Sequence, residues 1–198
     1  CRAARRSAAW VTPVVSRPAV RSPGSPSPIT ATVRPSLPSC ATNWVVPGGR
    51  LLHAAPMFHL ADLAAWNGRD LIGGTHVIVP SFTPEGVIEA IEKHQVTDAL
   101  LVPTMIQMLV DSPAIKLADV SSLTKVLYGA SPISEGLLDR VRTTLPDVRL
   151  AQAYGMTELA PVATMLSPED QDDPVLRRSA GRAAPHALVR IVDVDDNE

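Results

Sequence analysis

From about Gly49 onward the chain alternates short apolar blocks with stretches of helical periodicity, and this alternation limits the fold more than any other feature. It is the pattern of βα units, because two parallel strands can pair only when a crossover, usually a helix, carries the chain back between them. Residues 75–79 read as a strand. Thr83 then caps a helix with Pro84 at its first position and Glu85 near its positive end, and Val87, Ile88 and Ile91 form the buried stripe. Residues 99–102 are the next strand, and Pro103 opens a second helix with Met105, Ile106, Leu109 and Val110 turned inward. After a polar loop at 111–122 come a strand at 125–128, a third helix capped by Ser134 with Leu137, Leu138, Val141 and Leu145 inside, and a strand at 149–153. A last strand is expected at 187–194, before a turn-rich stop at 195–198. The expected class is α/β, a mostly parallel sheet with flanking helices over residues 49–198.

The first 48 residues have a different texture. Of 198 residues with a formal net charge of -2, the first fifty hold seven Arg, no Lys and no acid, giving +7 against -9 for the rest. They also contain eight of the 19 Pro and both Cys. Proline at that density interrupts backbone hydrogen bonding, and apolar residues are too sparse to offset the ordering entropy, so 1–48 are expected to be a disordered basic segment. Three readings compete: a solvated basic tail, a transit peptide lacking its amphipathic helix, and codons of a GC-rich gene read out of frame. The last is favoured. Cys1 and Cys40 support neither a disulfide framework nor a metal site. The near-neutral charge gives no reason to expect nucleic acid as a partner, and the longest apolar candidate, 99–110, is broken by Pro103, Thr104 and Gln107 before reaching the roughly 18 residues of a membrane span. A cytoplasmic chain without an integral membrane segment is expected.

Parallel strands joined by helices gather their ligand-binding loops at the carboxyl ends of the strands. Two such loops stand out. Gly129-Ala130-Ser131-Pro132 follows the strand ending at Tyr128, and Tyr154-Gly155-Met156-Thr157-Glu158 follows the strand ending near Ala153. Small residues let backbone approach a flat ligand, and Gly155 permits a bend that a side chain would obstruct. Tyr154 offers a ring face for stacking, Thr157 a hydroxyl for a phosphate oxygen, and Glu158 a hard carboxylate suited to Mg2+. Together they describe a nucleotide site.

Four stretches resemble the AMP-binding acyl-CoA synthetases of the adenylate-forming enzyme superfamily, and they occur in that family's order. They are Pro56-Met57-Phe58-His59, Tyr128-Gly129-Ala130-Ser131-Pro132-Ile133-Ser134, Tyr154-Gly155-Met156-Thr157-Glu158, and Ser179-Ala180-Gly181-Arg182 followed by Val189-Arg190-Ile191-Val192-Asp193. The resemblance implies a partial adenylation domain and a two-step reaction with ATP, Mg2+ and coenzyme A, in which a fatty or other aliphatic acid becomes an acyl-adenylate and then a thioester. It implies that Thr157 bonds the α-phosphate, Glu158 binds Mg2+, Tyr154 stacks on adenine, and Gly129, Ala130, Ser131 and Pro132 line the adenine pocket with Gly155 and Met156 beside them. His59 would orient the reacting carboxylate and phosphate, with Trp66 and Met105 as walls of the acyl channel. His53, His76 and His94 have no such context.

Departures from the family pattern are equally specific. The Ser/Thr/Gly-rich phosphate loop ending in Pro-Lys-Gly, which should fall near residues 10–30, is absent, and His186 stands where a small turn residue is usual. The ribose-binding Asp, the hinge and the small C-terminal domain would lie beyond Glu198. The expectation is therefore a fragment of an acyl-CoA ligase, inactive alone. An aryl-acid or amino-acid adenylating domain, and a non-catalytic AMP-binding remnant, are the alternatives.

Overall fold

The computed structural model describes residues 10–13, 45–159, 161–185 and 187–193. The elements in chain order are β1 (Trp10–Pro13), β2 (Arg50–His53), α1 (Leu60–Ile72), β3 (Thr75–Ile78), α2 (Pro84–His94), β4 (Asp98–Leu101), α3 (Pro103–Asp111), β5 (Lys125–Tyr128), α4 (Glu135–Thr144), β6 (Arg149–Gly155), β7 (Val162–Leu166), α5 (Pro168–Asp172), β8 (Arg182–Ala183) and β9 (Val189–Val192). Seven strands form one sheet in the order β3-β2-β4-β5-β6-β7-β8. The pairs from β3 to β6 are parallel, and β7 and β8 join antiparallel. This is the α/β class expected, with the parallel part built from βα units.

Local chemistry explains the helix boundaries. Thr83 accepts a hydrogen bond from the Gly86 amide at 3.1 Å and Ser134 accepts from the Leu137 amide at 3.2 Å, so both caps satisfy a first-turn donor that would otherwise have no partner. Inside, Val87 and Ile91 of α2, Ile106 and Leu109 of α3 and Leu138 and Val141 of α4 are buried against Leu52, Ala99, Leu101, Val126 and Tyr128 of the sheet. Burial of this apolar surface is the main term favouring the fold.

Two departures concern the ends of the described chain. Trp10–Pro13, within the segment expected to lack structure, forms a strand paired antiparallel with β9. Its reason is local: Trp-Val-Thr has strong strand preference, and the proline falls at the strand's end, where a missing N–H does least harm. The last strand is shorter than the expected 187–194 and belongs to this two-stranded ribbon, not to the main sheet. The rest of 1–44, His186 and the stop at 195–198 lie outside the described residues. Among the described residues no helix is long and apolar enough to cross a membrane.

Candidate nucleotide-binding site

β5 and β6 run side by side, with Tyr128 opposite Gln152, so the turns that leave their carboxyl ends meet at one edge of the sheet. The first turn comes very close to the second strand: a Cβ on Gly129 would lie 2.6 Å from the Ala153 carbonyl oxygen. Ala130 follows with φ +67°, a left-handed conformation that costs an alanine about 1 kcal/mol and is typical of sites held by their surroundings. At the second corner the β6–β7 pairing shifts register between Tyr154 and Gly155, and a Cβ on Gly155 would collide with the Pro161 carbonyl oxygen. Both glycines are therefore set by close backbone approach.

Between these corners lies a cavity of about 350 Å3. Residues 130–133 form one wall, residues 152–155 the second, and residues 177–180 a third, with Glu135 and Leu138 of α4 closing the end. The sequence-derived residues Ala130, Ser131, Pro132, Tyr154 and Gly155 are thus brought together. Gly129 sets the turn from behind. Met156, Thr157 and Glu158 are exposed just past β6, Thr157 and Glu158 in the single 3-10 turn Thr157–Leu159, and they do not line the cavity. His59 is exposed at the start of α1, after β2, two strands away from β5 in the sheet order. Met105 packs at the margin of the core. Trp66 stacks on His76 with 3.8 Å between ring centroids and 11° between planes, which commits its ring to that histidine.

Of the third wall, Ser179 and Ala180 belong to a stretch quoted from the sequence, whereas Arg177 and Arg178 escaped sequence reasoning. Arg178 donates to one Glu135 carboxylate oxygen from Nε at 2.9 Å and from Nη2 at 2.8 Å, spanning the cavity from wall to end. Arg177 lines the cavity with a buried Nε that has no hydrogen-bond partner. Two adjacent arginines immediately before Ser179 were the available signal. Behind the site, the Tyr128 hydroxyl donates to Gln152 Oε1 and accepts from Gln171 Nε2, both at 3.1 Å. Burial pushes the Tyr128 phenol up to about 12, so it stays neutral and fixes the Gln152 carbonyl as acceptor, presenting the amide nitrogen of Gln152 as donor.

Among the described residues no three His, Cys, Asp or Glu side chains converge on a possible metal. One exposed carboxylate, Glu158, fits the way Mg2+ is held beside nucleotides, through one or two carboxylates with phosphate oxygens and water completing the shell.

A mostly parallel sheet with a cavity at the carboxyl ends of its strands, walled by a small-residue turn and by Tyr154 and Gly155, defines an α/β domain that gathers its candidate site at the strand tips. The model of the AMP-binding enzyme family matches residues 27–198, and the chain belongs to that family. It is 35% identical over 150 residues to an indoleacetate–CoA ligase of Aromatoleum aromaticum, covering 75% of this chain and 29% of that protein. It is 33% identical over 147 residues to 4-coumarate–CoA ligase 3 of Arabidopsis thaliana, covering 73% of this chain and 26% of that one. Among solved structures, the amide bond synthetase McbA of Marinactinospora thermotolerans superposes with a TM-score of 0.71 at 32% identity, covering 80% of this chain and 32% of that chain. The chain thus spans less than a third of the length of these relatives.

Proposed function

We propose that the chain is the central part of the adenylation domain of an ATP-dependent acid–CoA ligase. The observation that carries this reading is the cavity shared by the turn after β5 and the carboxyl end of β6. In the first half-reaction a substrate carboxylate oxygen attacks the α-phosphorus of ATP and pyrophosphate leaves. In the second the coenzyme A sulfur attacks the acyl carbon, AMP leaves and the thiol proton passes to solvent. Tyr154 stacks on adenine against the wall of Gly129, Ala130, Ser131 and Pro132, with Gly155 and Met156 shaping the loop. Thr157 donates to the α-phosphate, and His59 orients the carboxylate. Glu158 would hold Mg2+ together with the phosphates, and the ion would supply positive charge against the charge that builds on the phosphate oxygens. A cytoplasmic setting goes with this reading, because ATP and coenzyme A are its co-substrates.

The sequence reading favours a fatty or other aliphatic acid. An aryl acid is the second reading, favoured by relatives named for indoleacetate and 4-coumarate. For this chain alone the proposal is AMP binding without turnover, since the segment before β2 offers no Lys-containing phosphate loop. Equilibrium dialysis of the chain with AMP tests the site: saturable binding is expected, and no binding overturns it. ATP–pyrophosphate exchange by the longer protein, stimulated by aliphatic but not aryl acids, is expected. The reverse dependence replaces the aliphatic reading with the aryl one.

A further inference from the structure

Four side chains outside the cavity form one continuous hydrogen-bonded chain. Asp62 Oδ2 lies 3.0 Å from His53 Nδ1, His53 Nε2 lies 2.9 Å from His76 Nδ1, and His76 Nε2 lies 2.9 Å from Asp70 Oδ1. His53 and Asp62 are fully buried, whereas Asp70 at the far end is 60% exposed. Trp66, one turn after Asp62 on α1, stacks on His76 and packs tilted against His53 at 5.2 Å. A carboxylate accepts only, so Asp62 accepts from His53 Nδ1–H and Asp70 accepts from His76 Nε2–H.

This arrangement is poor as a device for stability. The second Asp62 oxygen, Oδ1, is buried with no hydrogen-bond partner, and an apolar pair of similar volume would avoid that penalty. Its placement points elsewhere. His53 is the last residue of β2 and Asp62 is the third residue of α1, so their bond ties together the two ends of the segment that carries His59. Within that segment the His59 amide donates to the Pro56 carbonyl at 2.9 Å. His59 itself occupies the cap position of α1 in extended conformation, with no side-chain cap hydrogen bond, so its imidazole is left available.

We propose that His53 and Asp62 are positioning residues that lock the 54–59 turn and thereby fix where His59 is presented, with Asp62 setting the proton of His53 on Nδ1. The proposal rests on the ligase reading only for what His59 then does. The test uses the chain itself and needs no nucleotide. In Asp62→Ala, hydrogen exchange at the His59 amide is expected to accelerate about tenfold or more, while the amides of Val87 and Ile91 in α2 keep their protection. Asp62→Asn, which retains a carbonyl acceptor, is expected to restore slow exchange. Nitrogen-15 correlation of the histidine rings should find His53 protonated on Nδ1, and lose that signature in Asp62→Ala. Unchanged His59 exchange in a folded Asp62→Ala chain, or an Asn variant as fast as Ala, overturns the proposal. Should Asp62→Ala lose α2 protection, His53→Leu, which removes the same bond at similar volume, decides instead: faster His59 exchange is expected with α2 protection kept. Unchanged His59 exchange in a folded His53→Leu chain overturns it. Failure of AMP to bind the unmodified chain would overturn the ligase reading alone.

Discussion

Tyr128 is buried at the end of β5, where its hydroxyl links Gln152 in the cavity wall to the buried Gln171. Its phenol is pushed from the ordinary 10.0 up to about 12 by burial. The sign follows from linkage: above pH 10 an unfolded tyrosine loses its proton while the folded one keeps it, so the unfolded state binds fewer protons and stability falls as pH rises from 10 to 12. Tyr128→Phe should flatten that fall in a series of urea melts. At neutral pH the same variant should be destabilised by about 1–3 kcal/mol, because Gln171 loses its partner while still buried. The residue scale is also where the sequence was most informative about the site. Gly155 and the Gly129 turn were legible because close backbone approach leaves a compositional mark. Arg177 and Arg178 were not, since an arginine beside a loop looks the same whether it lines a cavity or faces water.

Among the elements, α1 best shows why part of the fold was hidden. Its buried positions are Asp62, Ala65 and Arg69, so its inward stripe is polar and gives no apolar period of 3.6. Arg69 and Asp98 explain the exception: they pair at 2.6 Å, and Asp98 also accepts from the Val46 amide at 2.7 Å and the Thr97 hydroxyl at 2.6 Å. Burial raises the Asp98 carboxyl above its usual range, opposed by those donors and by the Arg69 charge. Together they fasten α1 to the start of β4. Asp98→Ala should therefore cost about 3–5 kcal/mol in denaturant unfolding, as expected when one partner of a buried pair is removed and the other keeps its charge. β2, at four residues, and β7, of mixed pattern, carried equally weak signals. By contrast α2 and α4 were readable because their caps and apolar stripes agree, and α3 because Pro103 opens it ahead of an apolar stripe.

At the level of the molecule, the main sheet ends in β3, an edge strand whose Ile78 is 58% exposed, and Leu71 and Phe58 nearby in sequence are exposed at 76% and 87%. An unpaired strand edge beside apolar surface invites pairing with another chain. Sedimentation velocity should show concentration-dependent association, and Ile78→Lys should reduce it without lowering AMP affinity, since β3 is far from β5 in the strand order. A melt and sedimentation profile indifferent to Ile78→Lys would remove the edge as the cause.

The strand order also acts as a yardstick. Three inter-strand steps, β2 to β4 to β5 to β6, separate the strand leading to His59 from the strand ending at Tyr154, a span of about 14 Å at the usual strand spacing. A molecule that touches both must therefore lie crosswise over the strand tips, and the sheet itself measures how long that molecule has to be.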